Sequence, residues 1–267
     1  NKIITNSTYF ESAIDYNKTI NEKHEISGML IGIMRELKYA NAGNLQSSLP
    51  FRNLGLSGRF TYAFDGKYFS EFNFGYNGSE RFAKNERFGF FPSYGLGWYT
   101  SKENFMKPLS GVLSKLKFKA TYGLVGNDQI GSSDDRFFYI SQVNLNNGAM
   151  GAPFGQEFGN YINGVSINRY ANSQITWEKA EMLNLGVEIG LIDKIEIQAD
   201  YFTETRTNIL MDRAQVPSTL GLQAPTRANV GKASSNGFEV TLDYNQDFAN
   251  DLFIGARANF SFADEWP

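Results

Sequence analysis

Cysteine is absent from these 267 residues, so neither a disulfide framework nor thiolate chemistry is open to the chain. Histidine is reduced to His24, which has no second histidine to complete a zinc ligand set and, between Lys23 and Glu25, is expected in a turn. Proline is scarce, at 7, and neither sign of charge is in excess: 25 basic and 28 acidic residues leave a net −3. That balance excludes the basic footprint of a nucleic-acid binder and a polybasic patch for anionic lipid. Nowhere does an apolar run reach the roughly 18 residues that a membrane-crossing helix needs. The opening Asn1-Lys2-Ile3-Ile4-Thr5 has no secretory leader pattern, and the chain is expected to begin inside a longer protein.

Aromatic residues are plentiful, at 15%, with 23 Phe and 14 Tyr, and this profile favours β structure. Strict alternation locates the strands. Leu183, Leu185, Val187, Ile189 and Leu191 interleave with Asn184, Gly186, Glu188 and Gly190. Past a tight turn at Ile192-Asp193-Lys194, Ile195, Ile197, Ala199 and Tyr201 alternate with Glu196, Gln198 and Asp200. The pattern recurs on both sides of Asp65-Gly66-Lys67, a strong hairpin signal. About ten strands are expected, with cores near 8–20, 24–36, 53–65, 67–82, 88–101, 115–127, 174–191, 194–210, 232–246 and 251–264. The first two alternate less cleanly, and Pro92 interrupts the fifth, where proline marks an edge or a bulge.

Connections alternate between short and long. Short ones fall at 21–23, 65–67, 192–194 and 246–251, with a longer one at 102–114 expected to hold one helical turn at Glu103 to Met106. Long ones fall at 37–52, 127–173 and 211–231, the second rich in Gly, Asn and Ser. A barrel with a short-turn periplasmic rim and a long-loop outer rim has this asymmetry. Phe64, Tyr68 and Phe69 at one short turn, and Tyr244, Phe248 and Phe253 at another, suit the membrane interface. A soluble β-sandwich also has one apolar face. Its strands usually run to about 5–6 residues, however, whereas crossing a bilayer takes about 9–11. The expected fold is therefore all-β: an antiparallel transmembrane β-barrel segment, residues 1–267 forming one partial barrel domain.

Catalytic and cofactor signals are lacking. Gly95-x-Gly97 misses the third glycine and the strand-to-helix context of a phosphate cradle, so it is expected to pack within a strand. Asp128, Asp134 and Asp135 match no EF-hand spacing and are expected to be solvated loop acids. Glu71, Glu188, Glu196, Asp200, Glu239 and Asp243 suggest paired-carboxylate glycosidase chemistry, but all six occupy the polar phase of their strands, where a wet lumen accommodates charge. No enzyme, cofactor or metal site is expected. Weak ligand-binding candidates in or near the loops are Arg136, Tyr139, Tyr161, Tyr170 and Trp177, of types that stack on sugars or pair with anions.

Several stretches go further than pattern: Gly58-Arg59-Phe60-Thr61-Tyr62-Ala63-Phe64-Asp65-Gly66-Lys67-Tyr68, Phe90-Phe91-Pro92-Ser93-Tyr94-Gly95-Leu96-Gly97-Trp98, and Leu116 through Asp128. With Ile175-Thr176-Trp177-Glu178-Lys179, Ala199-Asp200-Tyr201-Phe202, Val216-Pro217-Ser218-Thr219-Leu220-Gly221 and Asn229-Val230-Gly231, they resemble SusC/RagA-type TonB-linked transporters over about Leu54 to Phe262. The resemblance implies a barrel of about 22 strands in the outer membrane, plugged by an N-terminal domain. It also implies import of oligosaccharides or peptides, energy from the TonB complex through an N-terminal region not expected in this chain, and a SusD-like lipoprotein partner. Outer-membrane lipid would be its surroundings. Ten strands leave two open edges, so the chain is expected to be a fragment lacking the plug and remaining strands. A siderophore-type TonB-dependent receptor and a soluble carbohydrate-binding β-sandwich stand as alternatives.

Overall fold

The computed structural model describes residues 4–40, 48–131, 136–248 and 252–266. Ten long strands form one antiparallel sheet: β1 (Ile4–Ile20), β2 (His24–Ala40), β3 (Phe51–Phe64), β4 (Tyr68–Ser79), β5 (Phe88–Trp98), β6 (Leu113–Asn127), β9 (Glu178–Leu191), β10 (Ile195–Asp212), β11 (Arg227–Phe248) and β12 (Leu252–Trp266). Strands neighbour one another in chain order, with β6 paired directly to β9 and with β1 and β12 as the edges. The ten coincide with the ten expected cores to within a few residues at most ends. A separate hairpin, β7 (Gln142–Phe154) with β8 (Asn160–Arg169), stands in what was expected to be an open loop. Its alternation, as in Val143-Asn144-Leu145-Asn146, is hidden by surrounding Gly and Asn, and register shifts break its pairing.

The short turns set the registers. Asp65 and Gly66 have φ of 53° and 60°, Ile192 and Asp193 have 49° and 57°, and Asn21 and Glu22 have 51° and 57°. Paired positive φ is the type I′ turn, whose twist matches that of the strands it joins. The registers then carry the sequence alternation across the whole sheet. Leu185 lies between Ala120 and Tyr201, and Val187 between Phe118 and Ala199, while Glu188 lies between Lys117 and Gln198 on the opposite face.

One face of the sheet is thus apolar and open: Leu96 is 64% exposed, Phe260 58% and Phe60 50%. Strands of 11 residues in β5 to 22 in β11 reach across a bilayer, and such a face is at rest only against lipid. Among the described residues, the buried apolar side chains gather instead at the long-loop end: Phe82, Phe91, Ile130, Phe138, Ile175 and Trp177.

Three local expectations are refined. His24 opens β2 rather than sitting in the turn, with Nδ1 2.8 Å from the Tyr62 hydroxyl and its ring 4.9 Å from that of Phe64. Pro92 does not break β5: it stays paired with Phe74 of β4, while pairing with β6 begins only at Ser93, where a backbone N–H is again available. Phe64, Tyr68 and Trp98 ring the short-turn rim on the apolar face, but Phe69 and Phe253 fall on the polar face because each is one residue out of phase. The expected helical turn appears as a 3-10 turn, Thr100–Lys102, followed by a 3-10 helix, Asn104–Leu109. The side chain of Phe248, and Asp134 and Asp135, lie outside the described residues.

Candidate functional site at the long-loop rim and polar wall

The polar face carries a network of paired charges. Lys115 Nζ lies 2.7 Å from Glu188 and 2.5 Å from Glu196, and Lys119 Nζ lies 3.1 Å from Glu188 and 3.6 Å from Asp200. Arg257 donates to both oxygens of Asp243, at 2.6 and 3.0 Å, and Ser261 donates to Glu239. Glu71 accepts from Asn73 at 2.7 Å. All six strand carboxylates named from sequence therefore stand on this face, each with a cation, amide or hydroxyl partner. Beside them a concavity of about 1060 Å³ is lined by Ser27, Thr61, Asn73, Thr121 and Asn184, with Lys117 over the Phe69 ring at 5.3 Å. Gly95 and Gly97 lie in β5 opposite Thr121 and Lys119, as strand residues rather than a phosphate loop.

Above this wall the long loops are joined into one body. Trp177 packs against Phe82 and Phe91 at ring distances of 5.4 and 5.3 Å and donates its indole N–H to the Arg87 carbonyl. Asn229 clasps two segments to its own strand: its amide donates to the carbonyls of Thr176 and Asn208, and its Oδ1 accepts from the Thr176 N–H. Asn208 itself, at φ 60°, sits where the β10–β11 register shifts, so the bulge turns β10 toward the clasp. Arg169 is buried, and one guanidinium nitrogen donates to the carbonyls of Arg136, Phe137 and Ile140, fastening the base of the β7–β8 hairpin to the loop after β6.

The five ligand candidates separate in this arrangement. Arg136 and Trp177 are buried, the guanidinium of Arg136 stacking 3.3 Å above the Phe51 ring, so both hold the rim together. Tyr139 is half-buried near them, packed edge-on against Phe137 and donating to the Glu80 carbonyl; burial pushes its phenol above the usual pKa. Tyr170 accepts from the Gln223 N–H, and Tyr161 stands apart on β8, 54% exposed, donating to the Gly148 carbonyl. Asp128 accepts from Asn53, a neighbouring strand amide. The hairpin presents Leu145 at 75% and Phe158 at 71% exposure, interleaved with an amide pair from Asn163 to Asn146. Sequence reasoning missed Arg169, Asn229 and this hairpin. The Asn229-Val230-Gly231 motif and the Val165-Ser166-Ile167-Asn168 alternation were the signals that could have found them.

A family model described as "TonB dependent receptor-like, beta-barrel" matches residues 9–267. The TonB-dependent receptor SusC of Bacteroides thetaiotaomicron is 31% identical over 215 residues, covering 78% of this chain and 20% of that protein. TonB-dependent receptor P3 of Formosa agariphila is 28% identical over 284 residues, covering 96% of this chain and 27% of that protein. The chain thus spans about a quarter of the length of the curated relatives it matches. A structure of the RagAB peptide transporter, 23% identical, superimposes with a TM-score of 0.77 over 98% of this chain and 30% of that one, showing the same fold.

Proposed function

The chain belongs to the TonB dependent receptor-like β-barrel family, and on that premise we propose that it supplies wall and outer rim to an importer of oligosaccharides or peptides. Its place is the bacterial outer membrane, with the apolar face in lipid. In this reading the ten-stranded sheet is one part of a single barrel domain. Further strands cover the edges at β1 and β12, whose unpaired backbone groups are costly against lipid. A plug domain and the TonB contact belong to other parts of the protein, and a SusD-like lipoprotein works with it at the outer rim. The reading involves passage without turnover of the substrate, hence no enzyme.

The observation that carries this is the joining of the loops at one rim, directly above a polar wall on which Lys115, Lys119 and Arg257 are paired with Glu188, Glu196, Asp200 and Asp243. Pairing of this kind lowers the number of unsatisfied charges that a hydrogen-bonding solute meets on passage. The likeness to the RagAB peptide transporter is one of fold, and neither it nor the identity to the TonB-dependent receptor SusC chooses between oligosaccharide and peptide. Tyr139, Tyr161 and Tyr170 are the candidates for contact with the solute.

The test uses the full-length protein in detergent, titrated calorimetrically with panels of oligosaccharides, peptides and ferric siderophores, with and without residues 142–169 replaced by a short Gly/Ser linker. Binding from the first two panels that is lost with the hairpin supports the reading. Binding of a ferric siderophore alone assigns the protein to the other branch.

A further inference from the structure

At the short-turn rim, the connection between β5 and β6 is longer than a tight turn and holds two 3-10 elements, Thr100–Lys102 and Asn104–Leu109. Glu103 accepts hydrogen bonds from the Tyr68 hydroxyl at 2.5 Å and from the Trp98 indole N–H at 3.3 Å, with Lys67 Nζ 3.6 Å away. Tyr68 and Trp98 are paired with each other across β4 and β5 and lie on the apolar face, in phase with Leu96 and Phe118. A carboxylate held by both rings draws the segment after it over the lipid side of the rim, not over the lumen.

The segment beyond Glu103 is amphipathic with the period of its own helix type. In the 3-10 helix Asn104–Leu109, side chains three apart eclipse, so Asn104 and Lys107 form one polar edge. Phe105 with Pro108, and Met106 with Leu109, form the other two. Phe105 is 65% exposed and Leu109 53%, both in the connection that follows the end of β5, while the Val112 carbonyl accepts the Ile192 N–H of the next short turn. Lys102, in the preceding 3-10 turn, donates to the Gly66 carbonyl with its ammonium 4.6 Å from the Tyr99 ring.

We propose that residues 100–109 form an interfacial foot, clasped through Glu103 to Tyr68 and Trp98, whose Phe105 and Leu109 insert among phospholipid acyl chains of the leaflet at the short-turn rim. Continuity with the lipid-facing aromatic ring identifies the occupant as lipid. Lys107, on the polar edge of the helix, supplies a cation for the phosphate headgroups, and apolar side chains with a cation above them are the chemistry of helices that lie in a membrane interface. The foot extends the barrel's grip on one leaflet beyond the ends of its strands.

The experiment places a polarity-sensitive fluorophore at Phe105→Cys, Leu109→Cys, Asp193→Cys or Leu96→Cys, one at a time, in the full-length protein otherwise free of cysteine. The proteins are reconstituted in phosphatidylethanolamine/phosphatidylglycerol vesicles with or without brominated acyl chains. Labels at 105 and 109 are expected to be blue-shifted and to lose emission to brominated chains, while the label at 193, on a neighbouring short turn, stays aqueous and is quenched by iodide. Labels at 105 and 109 that behave like 193 overturn the proposal, as does a blue shift without bromolipid quenching, which means that protein covers the segment. The label at 96 reports the membrane placement itself: if it too escapes bromolipid quenching, the barrel reading has failed rather than the foot. In Glu103→Ala the label at 105 is expected to move toward water, and unchanged quenching there overturns the clasp.

Discussion

Phe91 lies with its ring in the space that a side chain on Gly126 would occupy, across from β5 to β6, and the same ring packs 5.3 Å from Trp177. A strand residue, a glycine on the neighbouring strand and a loop tryptophan therefore share one contact. The base of the outer rim is built on it.

Gly126→Ala is expected to be more damaging than an alanine in a strand usually is. The new Cβ meets a ring that is 8% exposed and has no room to swing, because Trp177 and Phe82 close the other side. Overpacking of this kind costs roughly 1–3 kcal/mol. Thermal unfolding of the full-length protein in detergent, followed by heat-modifiable gel mobility, checks it. Gly32→Ala, where open space surrounds the added methyl, is the control expected to be near neutral.

Arg169→Met keeps the length and apolar body of the side chain but removes the donors to the Arg136, Phe137 and Ile140 carbonyls. The Phe137 carbonyl keeps the Ile140 N–H as donor, so the loss falls on the carbonyls of Arg136 and Ile140, at on the order of 1–3 kcal/mol for a buried carbonyl left without a donor. The loss falls on the loop, not on the ten-stranded sheet. Limited proteolysis is expected to cut between about residues 128 and 177 much faster than in the parent protein, with the barrel's unfolding temperature little changed.

At the opposite rim, acid is expected to release the β5–β6 connection. The Tyr68 hydroxyl, then the Trp98 indole and Lys67, hold the Glu103 carboxyl below its ordinary pKa, and the hydrogen bond from Lys67 holds Asp65 below its own. A carboxyl depressed in the folded state stabilises it fully above the unfolded pKa, near 4, and that contribution is lost as pH falls through the lower folded value. Stability at this rim should therefore be level at neutral pH and fall only in the acid range below about 4. Hydrogen exchange of residues 99–112 at a series of pH values measures it. Glu103→Gln should show little further acid response in that segment.

Ile192 is a β-branched residue at φ 49°, in the left-handed region, at the first corner of the β9–β10 turn. That conformation costs a β-branched residue about 1–2 kcal/mol, and asparagine occupies it readily. Ile192→Asn is expected to raise stability by roughly 1 kcal/mol, read as a shift in the denaturant midpoint. A drop instead means that the half-exposed Ile192 side chain contributes more through its contacts than its backbone loses.

Much of the architecture was legible in the sequence because the barrel wall is repetitive. Alternation of period two at Leu183 to Leu191 dictates which face meets lipid, and Asp65-Gly66 dictates its turn through backbone sterics alone. The lumenal phase of Glu188, Asp200 and Asp243 comes from the same count, and the stretches around Phe91, Trp177 and Asn229 carried the family likeness. The tertiary structure decided what those stretches do. Trp177 is 90 residues beyond Arg87 in the chain yet donates to its carbonyl, and Arg169 and Asn229 likewise act through carbonyls contributed by other segments. No local rule predicts a partner of that kind, because loop packing is fixed by long-range complementarity rather than by period. For the same reason Arg136 and Trp177 looked like ligand residues and prove to be buried, and Glu103, unremarked in a turn, proves to hold that turn against the lipid side.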